Sequence, residues 1–238
     1  LGGRRIIKKA MGGVAVAGGG PSESTHAGDH GGEAAPAART PAAAGASWRG
    51  RVTFGTLGFM STPTNFPGPD PYAPLKDLPS FDLTSPDITD GEELEEKFRA
   101  PQSVSPELNW SNLPEGTKSI AVTCYDPDAP TAAGFWHWAA FNIPADVTGL
   151  KQGASSEDAS DLPDGTIQLS NDSGQRAHYG AAPPPNHAPH RYMYAVHAVD
   201  VEKLYVPEDA TPTVLGFNLY FHSIGRAIIT PWYENKGE

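Results

Sequence analysis

The run Asp126-Pro127-Asp128-Ala129-Pro130, followed closely by Phe135-Trp136-His137-Trp138, constrains this chain more than any other stretch. It closes an apolar segment, Ser119 to Tyr125, whose β-branched and aromatic residues read as a strand. Two prolines then end the ladder and stiffen the turn, because proline has no N–H and a fixed φ. Phe135 to Ile143 resumes as a second apolar strand. A carboxylate leaving one strand and an imidazole entering the next can meet at one rim, so the pattern places a polar pocket at the edge of a β scaffold.

The rest of the chain agrees with that scaffold. Among 238 residues, 26 glycines and 24 prolines accompany few helical periodicities, which favours a mainly β, loop-rich domain. The net charge of −11 is unevenly spread: residues 1–59 hold seven Lys/Arg against three Asp/Glu, and residues 60–238 hold ten against twenty-five. A body that acidic argues against nucleic acid and against docking on anionic lipid. A local pocket for a small anion is compatible with it. The single cysteine, Cys124, excludes an intrachain disulfide and a multi-cysteine metal centre, and it reads as a buried small hydrophobe. No window approaches the roughly 20 apolar residues of a membrane span.

Residues 1–59 form a Gly/Ala/Pro-rich extension expected to be disordered, and the functional domain is expected over 60–238, starting at Met60. Arg4-Arg5 with the apolar residues after Met11 has the outline of a twin-arginine export signal, but its apolar part is short and broken by glycine. A cytoplasmic location is therefore the favoured reading and export the alternative. Further strands are expected around Phe81–Thr84, Ser105–Trp110, Thr166–Leu169 and Arg191–Val201, with a long loop from Asn171 to Pro189. Pro212 to Ile229 reads as one helix, with Leu215 and Leu219 on its apolar side.

Strand alternation sorts the polar residues, since side chains at i and i+2 share a face. Phe135 and His137 fall on one face and Trp136 and Trp138 on the other, where both are expected in the core. His190 and Tyr192 point one way and Arg191 the other. Asp126, His137, His190 and Tyr192 then surround one opening. Arg191 faces away and is free to pair with Asp128 and hold the Asp-Pro-Asp turn. Gly180-Ala181-Ala182-Pro183-Pro184-Pro185 supplies a stiff rim, with Gly180 allowing a ligand to approach closely.

Asp-Pro-Asp-Ala-Pro (126–130), aromatic-Trp-His-Trp (135–138) and Gly-x-x-Pro-Pro…His-Arg-Tyr (180–192), in that order, resemble the phosphatidylethanolamine-binding proteins in their bacterial, Raf kinase inhibitor-like branch. The likeness runs from about Pro69 to Glu234. It implies a Greek-key β-sandwich of two antiparallel sheets with a few peripheral helices, and a pocket for phosphate-like headgroups at one end. It implies Asp126, His137, His190 and Tyr192 as pocket residues, with Pro130, Phe135, Gly180 and Pro184 as its lining. Ala182 stands where the family often has a second glycine, a departure that implies a narrower mouth or a shifted loop. The resemblance also implies a possible partner kinase or protease, and its bacterial members imply a homodimer. The apolar segment Ile228 to Tyr233 is a candidate surface for such a dimer.

The chemistry expected of the pocket is binding. A carboxylate raises the pKa of a neighbouring imidazole above its usual value of about 6.5, giving a proton to donate to a phosphoryl oxygen, and the Tyr192 hydroxyl is a second donor. His187 and His190 with Asp126 are a minority metal reading, and neither a metal nor a cofactor is expected. The sequence lacks a nucleophile elbow, a P-loop and a His-Glu-x-x-His motif, so an enzyme is not expected. The rivals are an interaction-only inhibitor with a vestigial pocket and a weak small-substrate hydrolase. His178, His197 and His222 read as surface or packing residues.

Overall fold

The computed structural model describes residues 63–237. The extension over 1–59 and the start at Met60 fall outside these described residues. In chain order the elements are β1 (Asp82–Thr84), β2 (Leu108–Ser111), β3 (Ser119–Asp126), β4 (Phe135–Pro144), β5 (Gly149–Leu150), β6 (Ile167–Gln168), β7 (His190–Arg191), β8 (Met193–Val199), α1 (Pro212–His222), β9 (Ser223–Ile229) and β10 (Trp232–Tyr233), with a 3-10 turn at Glu96–Phe98.

The strands pair antiparallel in three sheets. The largest has the order β6-β4-β3-β8-β9, a second β1-β2-β5, and β7 pairs with β10. Read as β8-β3-β4-β6, the large sheet has the Greek-key order in which a late strand returns beside the first. β3, β4 and β8 are almost continuously apolar because both faces of the sheet are covered. One face packs Ile120, Val122, Trp138 and Val196 against Leu108 and Trp110 of the smaller sheet and Phe81 just before it. On the other, Ala121, Ala139 and Phe141 meet Leu215 and Leu219 of α1.

Two expectations change here. The helix expected over Pro212–Ile229 ends at His222, and Ser223–Ile229 becomes β9, paired with β8 along its length. Ser223 to Ile229 alternates between buried and half-buried residues, the period of a strand, and Gly225 sits against the Pro114 ring at a distance no larger residue could occupy. The segment Ile228 to Tyr233, the candidate dimer surface, is buried at Ile229 and Pro231 and half-buried elsewhere. Ile229 belongs to the inter-sheet core, and the Trp232 indole N–H donates to the Gly91 carbonyl. The few peripheral helices reduce, among the described residues, to α1 and one 3-10 turn.

Candidate functional site

Asp126 is the last residue of β3 and lies opposite Phe135, the first of β4. Between the pairs Cys124–Trp138 and Tyr125–Trp136 the register shifts, so β4 carries one extra residue there. That bulge changes the faces. Trp138 points into the inter-sheet core, whereas Trp136 turns to the opposite side with Tyr125, half-buried, and the two rings lie 4.5 Å apart. The expectation that both tryptophans share a face fails for this reason. The same bulge leaves His137 beside Phe135, with ring centroids 4.8 Å apart, and edge-on to Tyr192 at 5.1 Å.

A hollow of about 350 Å³ opens at this end of the sheet. Asp126, His137, His190 and Tyr192 all line it, together with Pro130, Phe135 and Pro184. Ala182 lines it too. Gly180 does not. A Cβ there would meet the backbone of Arg99 and Ala100 at 2.5 and 2.6 Å, so this glycine serves close chain packing instead of ligand approach. Its N–H donates to the Ser103 hydroxyl.

The polar groups are held in sequence. Asp126 Oδ2 accepts from His190 Nδ1 at 2.7 Å, and its Oδ1 accepts the Asp128 N–H at 2.7 Å. On the far side of the ring, His190 Nε2 stands 2.7 Å from His187 Nδ1. Asp128 points away from the hollow and is fully buried. It accepts the Arg191 guanidinium through both oxygens at 2.8 and 2.9 Å, and also the N–H groups of Arg191 and Gly68. The Arg191 guanidinium additionally donates to the Gly68 and Pro69 carbonyls. This bidentate pair ties the lead-in chain, the Asp-Pro-Asp turn and the start of β7 together.

His137 behaves opposite to expectation. Burial pushes its pKa down to about 3, and its Nδ1–H donates to the Tyr179 carbonyl at 2.8 Å. The ring is neutral at pH 7 and Nε2 is left as an acceptor. No carboxylate contacts it to offset the desolvation, because Asp126 is engaged by His190. The Tyr192 phenol is held well above its ordinary range, first by burial and then by the Asp126 charge. It keeps its proton; the Ala182 N–H lies near enough to its oxygen to offset a little of that rise, but no acceptor takes the hydroxyl proton among the described residues. A buried hydroxyl left unpaired is costly unless something else supplies the partner.

Tyr179, Thr131, Ala129 and Ser173 also line the hollow and were not anticipated. Tyr179 precedes Gly180 and clamps β4: its N–H donates to the His137 carbonyl while its own carbonyl takes the His137 ring proton. Ser173 comes from Asn171-Asp172-Ser173, and Asp172 caps the Trp136 N–H at 2.8 Å. The long loop had no periodicity from which to place them. Cys124 is fully buried, and desolvation pushes its thiol up, so it offers no thiolate. Among the described residues no group of three or more His, Cys, Asp or Glu side chains is arranged to hold a metal ion, and no helix is long and apolar enough to cross a membrane.

A family model described as Phosphatidylethanolamine-binding protein matches residues 84–234. The chain is 44% identical to YbhB of Escherichia coli over 158 residues, covering 64% of this chain and 99% of that protein. To YbcL of the same organism it is 43% identical over 163 residues, 66% of this chain and 89% of that one. The crystal structure of YbcL, described as a new member of the mammalian PEBP family, superposes with a TM-score of 0.63 over 65% of this chain and 98% of its own. By motif, fold and likeness, the chain belongs to the phosphatidylethanolamine-binding protein family, in the bacterial branch that holds YbhB and YbcL.

Proposed function

We propose that the hollow bounded by Asp126, His137, His190 and Tyr192 binds a small phosphate-bearing ligand of headgroup size. The observation that carries this reading is the Tyr192 hydroxyl: protonated, buried, with no acceptor for its proton among the described residues, and lining a hollow whose volume suits a small ligand. A phosphoryl oxygen would accept from it. The neutral His137 Nε2 is an acceptor, so it suits a protonated phosphate oxygen or an ammonium N–H on the same ligand. Asp126 does not face the hollow alone, because its Oδ2 is taken up by the His190 ring at 2.7 Å. The reading is of a binder, since the proline rim offers few backbone N–H groups to stabilise an oxyanion.

Thermal melting in phosphoethanolamine tests the proposal. A rise in Tm is expected for the native protein, absent in His190→Ala and reduced in Tyr192→Phe. An equal rise in all three would overturn the reading. Turnover of a chromogenic ester that Asp126→Asn abolishes would favour a hydrolase instead.

A further inference from the structure

The other face of the five-stranded sheet carries a second hollow. There α1 covers only part of the sheet, and the lead-in chain from Pro71 to Leu78 runs alongside, leaving a groove of about 470 Å³ between them. Its floor is Thr123, Trp136 and His197, and its walls are Tyr72 on one side with Phe217 and Tyr220 of α1 on the other. The lining is mostly apolar. α1 is amphipathic only in part: Leu215 and Leu219 are buried, yet Phe217, Tyr220 and Phe221 are 68, 49 and 57% exposed. The β4 bulge creates this groove, because it sends Trp136 to this face while Trp138 stays in the core.

Charge decides what kind of molecule fits. On a chain of net charge −11, the groove is lined by two cations, Lys76 and Arg226, and by no Asp or Glu. The Arg226 guanidinium lies over the Tyr72 ring, 4.7 Å from its centroid, and among the described residues donates only to the Lys76 carbonyl at 3.5 Å. Neither cation forms an ion pair among the described residues, whereas Lys97, Arg99, Arg176 and Arg191 each do. His197 beneath them is kept neutral by burial, with its pKa down to about 3, so it adds no charge.

We propose that this groove binds an amphipathic monocarboxylate, an apolar chain on the order of ten carbons seated between Trp136 and the α1 aromatics, with its carboxylate on Arg226 and Lys76. The apolar body accounts for the exposed aromatic faces, and the head supplies the counter-charge that Arg226 lacks. This site is separate from the first hollow. The two share no lining residue.

Isothermal titration of the full chain with decanoate, below its micelle concentration, tests the proposal. One-to-one binding is expected, tightening roughly fourfold per methylene from octanoate upward and at least about tenfold weaker for decanol, which lacks the charge. Arg226→Gln should remove the preference of decanoate over decanol. Gly216→Leu should abolish binding by filling the groove, because a Cβ at Gly216 meets only the Trp136 ring at 4.0 Å and the added side chain has room. His190→Ala should leave decanoate binding unchanged. No saturable binding, equal affinity for decanol, or a loss with His190→Ala but not with Arg226→Gln would overturn the proposal. So would a dimer in sedimentation that Phe217→Ser dissociates and that decanoate leaves intact, since a second copy would then occupy the groove.

Discussion

Asp126 Oδ2 and His190 Nδ1 stand 2.7 Å apart with both side chains almost wholly excluded from water. The two residues, at the end of β3 and in β7, are 64 apart in the chain and belong to different sheets, so the contact exists only once those sheets have come together. The pair fixes which ring nitrogen faces the acid and leaves Nε2 for His187 or for a ligand. In Asp126→Asn the amide can keep one hydrogen bond but not the charge. Affinity for phosphoethanolamine should fall by at least about tenfold, the cost of one charge-assisted bond, as titration calorimetry would record. Unchanged affinity would remove Asp126 from the site.

The Asp128–Arg191 pair has a different duty. The Asp128 side chain is fully buried, so taking away its cation strands a charge with no water to receive it. Arg191→Ala should cost about 3 kcal/mol or more in urea unfolding, and Arg191→Lys should recover only part of this because it loses the two-pronged geometry. A loss below about 1 kcal/mol would mean that the turn is held by other contacts.

Gly180→Ala separates packing from binding. Its new methyl would collide with the Arg99–Ala100 backbone at about 2.5 Å, at a cost of about 1–3 kcal/mol in overpacking. Denaturant unfolding should show that loss, while phosphate affinity measured well below the melting point should change little. The opposite pattern would return Gly180 to the ligand's surroundings.

Stability should fall on mild acidification. His137, His178 and His197 are buried, with pKa values lowered to about 3, 4 and 3 against an unfolded value of 6.5. Between those values the unfolded chain binds protons that the folded chain refuses. Stability is therefore full above about pH 6.5 and is lost as pH falls toward 4. Each group contributes a slope of up to about 1.4 kcal/mol per pH unit. Urea midpoints at pH 7, 6, 5 and 4.5 would trace it, and a flat profile would show that these rings accept protons in the fold.

Much of this was legible in the sequence because it depends on order and alternation. Asp126, His190 and Tyr192 converge as strand parity requires, and Arg191 turns the other way to meet Asp128. What the sequence hid depends on geometry without a period. A single extra residue in β4 reversed the side of Trp136 and opened the second groove. The protonation of His137 follows from burial and from Asp126 being already engaged, neither of which residue type reveals. Ile224 to Ile229 suits a helix or a strand by composition, and only pairing with β8 chooses between them. Tyr179 and Ser173 sit on an aperiodic loop that closes over the site through hydrogen bonds with β4 and Asn171.

The most direct test of the central claim is a crystal soaked in inorganic phosphate near neutral pH. The account predicts tetrahedral density in the hollow, with one oxygen within hydrogen-bonding distance of the Tyr192 hydroxyl and another near His137 Nε2. A hollow that stays free of phosphate at saturating concentration, or phosphate bound only elsewhere on the surface, would contradict it.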